Sequence, residues 1–400
     1  MSILRALSTH YNDGEGLADS CLSICGALFD QTLQVETWFP ASRRETDLAF
    51  VRNAFPRFVM PYVFRLPEPN ERLRKAVEKA FLRALRPEDI AYLWVGVSLE
   101  TYQRVKDRGN IIVSQRSNCH RLYAKRLLDQ EYARIGWPGT CGITEEDAIK
   151  EQKKMDHVDF VYSMSRFVTE SLLASGVPRT KILPTSSGWD PGRMNGEDRL
   201  LEKDEGITVL FVGNLSVRKG IHLLLEAWKR ASIKGRLVLA GEVPSDVAEQ
   251  LAEPLARPDV ICLGYRRPIG AVYRSADVFV CGSLEEGGPK VTYEAMGCGL
   301  PVIVSPMGAG PARNGMDGFV IDPHDIEGWA DALKRLATDV ELRQRMGTEA
   351  RIRADEFTWK KVGSRRREML LAAINAQCST VAASKDSAVI APQMTAGGFS

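Results

Sequence analysis

The chain has 400 residues, of which 44% are hydrophobic and 26% are charged, an ordinary composition for a globular protein and a length that predicts two domains. Its 53 Lys and Arg residues nearly balance its 51 Asp and Glu residues, which argues against nucleic acid as a partner. No apolar run approaches the roughly 20 residues that span a bilayer.

Cysteine usage and the start of the chain bear on location and metal binding. Residues 1–10 lack the long apolar core of a secretion signal, so we expect a cytoplasmic protein. The eight cysteines are then expected to be reduced thiols, and they form no C-x-x-C pair. The five histidines are scattered along the chain. We therefore expect no metal and no cofactor.

The first half of the chain alternates short β-rich runs with amphipathic stretches, a pattern typical of a parallel sheet covered by helices. Strands are predicted at 33–38, 58–64, 90–95, 111–114 and 158–163. Helices are predicted at 17–29, 71–85, 121–134 and 167–175. Residues 184–204 are rich in Ser, Gly, Pro and charge, and we place the end of the first domain there, at 185.

The second half repeats the alternation more regularly. Strands are predicted at 207–212, 236–240, 260–263, 278–281 and 301–305. Helices are predicted at 220–231, 245–256, 290–296, 325–336, 340–356 and 360–374. We therefore predict two Rossmann-like α/β domains, 1–185 and 186–375, that face each other across a cleft, with the helix at 360–374 able to pack back on the first domain. Residues 376–400 are small and polar, which predicts a disordered tail.

Two strand-to-helix junctions in the second half carry unusual residues, and ligands of such sheets bind at these junctions. At the first junction, Gly213 and Asn214 follow the strand, and Arg218 and Lys219 precede Gly220. Free amide groups at a helix start, together with adjacent cations, favour a diphosphate. The alternative is a surface turn with two solvated bases, and this junction alone does not decide between them.

The second junction combines two carboxylates with a glycine pair. Pro289 suits the first position of a helix, and Gly287 and Gly288 let the backbone pass close to a ligand. Glu286 and Glu294 can accept hydrogen bonds from sugar hydroxyls. Each acid has an ordinary alternative, a solvated loop acid or an acid that matches the helix dipole. Both junctions together favour a bound ligand.

These segments resemble those of the retaining GT-B glycosyltransferases of family four, the glycosyl transferases of group one. Residues 286–294 are similar to the E-x7-E signature of that family. Residues 213–220 resemble its phosphate loop, and 277–280 its preceding strand. In the first half, 159–165 resemble its last strand. The likeness covers roughly 85–375 and is most specific in the second half.

The resemblance implies roles for the matched residues. Glu286 would contact the donor sugar, and Glu294 would bind the nucleotide ribose. Lys219, helped by Arg218, would neutralise the leaving diphosphate. His120 is similar to a histidine that approaches the donor sugar, the alternative being a helix-start residue without a ligand. The implied catalytic residues are Glu286, His120 and Lys219, and the implied donor-binding residues are Gly14, Gly16, Gly213, Asn214, Arg218, Lys219, Glu286, Gly287, Gly288, Pro289, Lys290 and Glu294.

Three positions depart from the family pattern. Asn214 stands where many relatives carry an arginine, which bears on donor affinity. Pro289 removes a backbone N–H from the donor loop, which bears on donor identity. Glu15 interrupts the glycine pair of Gly14 and Gly16, which bears on the alignment of the first half.

The resemblance implies a retaining hexosyltransferase that uses a nucleoside diphosphate sugar and a saccharide or lipid-linked saccharide acceptor in polysaccharide or glycolipid assembly. The chain has no D-x-D motif, so we expect a metal-independent reaction in which cations stabilise the leaving charge. Two alternatives stay open: a GT-B-type sugar-nucleotide epimerase, and a non-catalytic partner protein that binds a nucleotide sugar.

The stretch 71–86 is amphipathic. Leu73, Val77 and Phe81 share one face, and most of its Lys and Arg residues lie around the other. Such a helix can rest on anionic lipid at the inner face of a membrane, which would suit a lipid-linked acceptor. The alternative is a core-packed helix with a solvated basic face.

Overall fold

The computed structural model describes residues 3–12, 16–42, 48–203 and 205–389, with side chains as far as 379. Gly14 and residues 390–400 of the predicted tail lie outside the described residues. Within these ranges the chain forms two parallel β-sheets with helices along their faces. The predicted fold class, with two Rossmann-like halves, is confirmed.

The first sheet has seven strands in the order β3-β2-β1-β4-β5-β6-β7, and all neighbours are parallel. Its strands are β1 (Ile3–Leu7), β2 (Gln34–Phe39), β3 (Val51–Asn53), β4 (Ile90–Leu93), β5 (Ile111–Arg116), β6 (Phe160–Ser163) and β7 (Ile182–Pro184). Its helices are α1 (Gly16–Leu28), α2 (Met60–Val63), α3 (Pro69–Ala84), α4 (Leu99–Asp107), α5 (Arg121–Ile135), α6 (Glu145–His157) and α7 (Arg166–Ala174).

The second sheet has six strands in the order β10-β9-β8-β11-β12-β13, again all parallel. Its strands are β8 (Ile207–Val212), β9 (Gly235–Ala240), β10 (Val260–Cys262), β11 (Val278–Cys281), β12 (Val302–Val304) and β13 (Gly318–Val320). The helices from here to the end are α8 (Pro191–Met194), α9 (Ile221–Ala231), α10 (Ala248–Leu255), α11 (Ile269–Arg274), α12 (Lys290–Gly297), α13 (Ile326–Thr338), α14 (Val340–Asp355) and α15 (Trp359–Val389).

Each sheet has its own core, and the central strands are apolar on both faces. Every residue of β4, β6 and β11 is buried, as expected for parallel strands that are covered by helices on both sides. The strands of the first sheet end at Pro184, and those of the second begin at Ile207. The carboxyl ends of the strands, where ligands of such sheets bind, carry the loops described below.

The predicted strand at 58–64 is wrong. The chain there forms a 3-10 turn, Arg57–Val59, followed by α2. Pro61 has no backbone N–H to donate to a neighbouring strand, and it lies instead in the first turn of α2. The sequence also missed β1, β3, β7 and β13, which are 5, 3, 3 and 3 residues long, too short for a clear periodicity.

The apolar face of α3 packs into the first half. Leu73, Val77 and Phe81 are fully or almost fully buried, whereas Lys75 and Lys79 are exposed. That apolar face is therefore not available to lipid, and the core-packed alternative for 71–86 describes this helix. Among the described residues, no helix combines the length and the apolar character that crossing a membrane requires.

The last helix begins at Trp359 and continues to Val389, which corrects the expectation of disorder over 376–389. Extending a helix that already exists needs no new nucleation, and this segment contains several alanines. The helix crosses back to the first sheet, where the Tyr162 hydroxyl of β6 donates to the Arg366 carbonyl at 2.9 Å. It thereby ties the end of the chain to the first half.

Candidate active site

The first junction lies at the carboxyl end of the central strand β8. Gly213 follows the strand with φ +143°, and Asn214 beside it is exposed. Arg218 and Lys219 belong to a 3-10 turn that precedes α9. Gly220 has φ +69°, and a Cβ there would overlap the carbonyl oxygen of Gly282. The glycine therefore lets the basic turn approach the neighbouring strand end.

The second junction follows β11, the neighbour of β8 in the sheet. Glu285 and Glu286 are both buried, at 2% and 8% exposure. Pro289 stands just before α12 rather than at its first helical position. Glu294 lies in the middle of α12, and the Tyr273 hydroxyl donates to its carboxylate at 2.9 Å.

The basic turn and the acidic loop meet. The Nζ of Lys219 donates to Oε2 of Glu286, and Nη1 of Arg218 lies 3.4 Å from the same oxygen. Burial raises the pKa of Glu286, but the charges of Lys219 and Arg218 outweigh burial and hold this pKa below its usual range. The carboxylate is therefore ionised at neutral pH.

The glycine pair faces the first half of the chain. A Cβ on Gly287 would overlap the Ser117 carbonyl and the Asn118 amide, and a Cβ on Gly288 would lie 3.2 Å from Cβ of Met164. We expected these glycines to admit a ligand. In the structure Gly287 lies against backbone of the facing half and Gly288 against the Met164 side chain, and their contact with a ligand stays a prediction.

Residues 206–339 match the family model described as glycosyl transferases group 1. The match spans 134 of the 400 residues of the chain. The family resemblance predicted from the sequence is confirmed over this range, which we call the group 1 domain.

Two curated relatives are named D-inositol 3-phosphate glycosyltransferase. The protein of Corynebacterium jeikeium (strain K411) is 30% identical over 242 residues, which are 54% of this chain and 58% of the relative. The protein of Corynebacterium glutamicum (strain R) is 32% identical over 241 residues, which again are 54% of this chain and 58% of the relative. The chain thus spans somewhat more than half the length of these relatives.

Solved structures share the whole fold. A sucrose-phosphate synthase from Thermosynechococcus elongatus has a TM-score of 0.66 at 17% identity, covering 94% of this chain and 100% of that chain. Anabaena HepE in complex with UDP and glucose has a TM-score of 0.65 at 16% identity, covering 93% and 100%. These similarities, together with the two parallel sheets, establish the GT-B architecture.

Glu285 of the group 1 domain is a residue that the sequence reasoning missed. Its carboxylate accepts from the Cys119 amide at 2.9 Å and from Nδ2 of Asn118 at 3.0 Å. It also lies 3.4 Å from Nη1 of Arg218. The available signal was its position beside Glu286 at a strand end, but Asn118 and Cys119 lie more than 160 residues earlier. This acid joins the two halves.

His120 lies close in sequence to this contact, but its ring belongs to the first half. It is 2% exposed, its Nδ1 accepts from the Leu122 amide at 3.3 Å, and its Nε2 lies 3.5 Å from Glu151. Burial lowers the pKa of this imidazole. The ring contacts the start of α5 and Glu151, as the helix-start alternative describes, and its approach to a donor sugar stays a prediction.

The start of α1 lies against the start of α12. Nζ of Lys290 donates to Oγ of Ser20 at 2.9 Å, one turn beyond Gly16, which has φ +56°. Among the described residues no group of three or more His, Cys, Asp or Glu side chains is arranged to hold a metal. Arg218 and Lys219 contact the acidic loop.

Proposed function

We propose that this chain is a retaining glycosyltransferase that moves a hexosyl group from a nucleoside diphosphate sugar to a hydroxyl of an acceptor. The observation that carries the proposal is the contact between Lys219 and Glu286. Because of this contact, one ligand could bind the basic loop and the acidic loop at the same time. The names of the relatives and the UDP-glucose complex of HepE agree with it.

Lys219 and Arg218 would stabilise the leaving diphosphate. Both are already near Glu286, so a diphosphate would add negative charge to a place that holds one ionised carboxylate. The two cations offset part of that charge, and Arg218 can supply the second one where Asn214 has no charge. Cations held beside the leaving diphosphate lower the activation barrier of transfer without a metal, because they stabilise the charge that develops there in a cleft that excludes water.

Glu286 would hold the donor sugar. Its lowered pKa keeps it as an acceptor of hydrogen bonds from sugar hydroxyls. Tyr273 orients Glu294 through the hydrogen bond described above, which would fix that carboxylate for the ribose hydroxyls. We propose same-face attack, in which an oxygen of the leaving phosphate accepts the proton of the incoming hydroxyl, so that the anomeric configuration is retained.

The first test is Lys219→Ala, with the exposed Lys229→Ala on α9 as the matched control. A hydrogen bond between charged groups contributes about 1.5–3 kcal/mol, so kcat/KM should fall roughly tenfold to hundredfold or more. Transfer is measured with UDP-, GDP- and ADP-sugars after a thermal-shift panel has selected the donor. An unchanged rate in folded Lys219→Ala contradicts the assigned role.

The second test separates the transferase from its rivals. Glu286→Gln keeps the side-chain shape and removes the charge, and Glu249→Gln on α10 is an exposed control. We expect loss of transfer only in the first variant, and a product of retained anomeric configuration by NMR in the wild type. Conversion of the donor without any acceptor would indicate an epimerase, and donor binding without transfer in a broad acceptor screen would indicate a non-catalytic partner.

A further inference from the structure

A buried carboxylate of the first half reaches the second half through α5. Glu131 lies near the end of this helix and is 4% exposed. Its Oε1 lies 2.7 Å from Nε2 of His222, in the first turn of α9, and its Oε2 lies 2.8 Å from Nε2 of His324, between β13 and α13. The two histidines stand 91 and 193 residues later in the chain. We call Glu131, His222 and His324 the Glu131 clamp.

The carboxylate of Glu131 uses its full capacity to accept hydrogen bonds. Arg134, one turn further along α5, donates from Nη2 to Oε1 at 2.6 Å and from Nε to Oε2 at 2.9 Å. Each oxygen thus has one partner on its own helix and one histidine of the second half. Burial raises the pKa of Glu131, but its hydrogen-bond partners outweigh burial and hold this pKa well below its usual range. The carboxylate is therefore ionised at neutral pH.

The surroundings of the two histidines direct their rings to Glu131. Within the part of the chain that the structure describes, Nδ1 of His222 is buried without a hydrogen bond, whereas Nε2 has Glu131. A neutral imidazole with its proton on Nε2 suits this geometry, because no buried N–H then lacks an acceptor. The Asp322 carboxylate accepts from the backbone N–H of His324 at 2.9 Å. This turn holds the second imidazole beside the carboxylate of Glu131.

The Glu131 clamp lies close to both loops of the candidate site. The helix α9 begins directly after the basic turn, so His222 stands three residues after Lys219. The start of α5 follows the 118–119 segment, which donates to the Glu285 carboxylate. The helix α5 is therefore held to the second half at both ends, next to the acidic loop and next to the basic turn.

The orientation of the two halves depends on such contacts, because each half has its own core. Leu128 of α5 packs among buried residues of the second half. An apolar contact of this kind has no preferred direction, whereas hydrogen bonds to an ionised carboxylate are directional and roughly twice as strong as neutral ones. A buried carboxylate is also costly once its partners leave. The Glu131 clamp therefore favours one arrangement of the halves over the others.

We propose that Glu131 is a positioning residue that holds the cleft closed. Its clamp keeps α5 on the second half, and α5 in turn keeps the 118–119 segment on Glu285. Glu131 acts through these contacts and not on the reacting atoms. Its effect on transfer rests on the proposed function, whereas its effect on the arrangement of the two halves does not.

The test compares Glu131→Gln with Asp129→Asn, because Asp129 pairs with Lys125 on the same helix. Small-angle scattering of the ligand-free proteins should give a larger radius of gyration for Glu131→Gln alone. The transfer assay uses the donor that the panel of UDP-, GDP- and ADP-sugars selects. In Glu131→Gln the KM for this donor should rise at least about tenfold, because closure loses a charge-assisted hydrogen bond. The value of kcat should change far less, since saturating donor restores the closed arrangement.

A second variant, His324→Asn, breaks the clamp without altering the core, since the His324 side chain is 44% exposed. It should raise the KM for the donor and the radius of gyration in the same direction as Glu131→Gln, but less. Added to Glu131→Gln, it should have no further effect, because its partner is already lost. If Glu131→Gln does not fold, His324→Asn decides, and wild-type values of both quantities would contradict the proposal.

Three results would overturn the assignment. If Glu131→Gln matches Asp129→Asn in radius of gyration and in KM, the clamp does not hold the halves together. A loss of kcat at unchanged KM, together with a lower melting temperature, would indicate a carboxylate that only supports the fold. Additive effects of Glu131→Gln and His324→Asn would indicate that the two residues act separately.

Failure of the proposed function has a different signature. A wild type that transfers no sugar and binds none of UDP, GDP and ADP would count against the transferase, while the scattering comparison would still test the Glu131 clamp. A wild type that transfers sugar, together with a Glu131→Gln variant of unchanged radius of gyration and KM, would count against the clamp alone.

Discussion

Gly287→Ala tests whether the contact between the two halves is needed for transfer. The added methyl group would overlap the backbone of Ser117 and Asn118. No rotamer change can relieve an overlap with backbone, so the acidic loop and the facing loop must separate. Separation breaks the two hydrogen bonds from the 118–119 segment to the Glu285 carboxylate.

The magnitude follows from those two bonds. Each is a hydrogen bond to a charged and buried acceptor and contributes about 1.5–3 kcal/mol, so closure loses at least about 3 kcal/mol. Since about 1.4 kcal/mol corresponds to a factor of ten, kcat/KM should fall at least about a hundredfold. The change in melting temperature should be small, because the overlap lies between the halves and leaves each core intact.

Two further variants make the experiment specific. Gly282→Ala, in the same loop, is the control, because its Cβ would lie 3.5 Å from the Trp329 ring, an ordinary contact. Glu285→Gln weakens the same interdomain bonds without altering the loop backbone and should lower kcat/KM in the same direction. If Gly287→Ala transfers sugar as fast as Gly282→Ala, closure through this contact is not required.

Two other predictions concern stability. Arg366→Ala should lower the free energy of unfolding, measured by urea titration, by about 3 kcal/mol, because Arg366 is fully buried and its guanidinium donates to Gln115 at 2.8 Å. Arg365 is exposed, so Arg365→Ala should have little effect. Equal losses of unfolding free energy in the two variants would contradict the reasoning. Burial lowers the pKa of His120, so the folded state binds fewer protons than the unfolded state below about pH 6.5. The free energy of unfolding should therefore fall more between pH 8 and pH 5 in the wild type than in His120→Asn, a variant that keeps an N-cap acceptor. Parallel profiles of unfolding free energy against pH in the two proteins would refute this.

Much of the second half was predictable from the sequence because its signals are local. The buried run of β8 and the glycines at 213 and 220 fix a strand, a turn and the start of a helix between residues 207 and 221. Lys219 and Glu286 stand at the ends of adjacent parallel strands, so predicting the strands also predicted that these side chains come close. The family signature lies entirely within such local units.

The rest depended on which distant segments pack together. The sequence allowed the helix at 360–374 to pack back on the first domain, but it did not indicate that Arg366 would be the residue buried there. Nor did it indicate that Glu285 would bond the 118–119 segment. Local periodicity determined most of the strands and helices and the two loops. Burial and pairing of charge are properties of contacts between remote residues, so only the tertiary structure decided them.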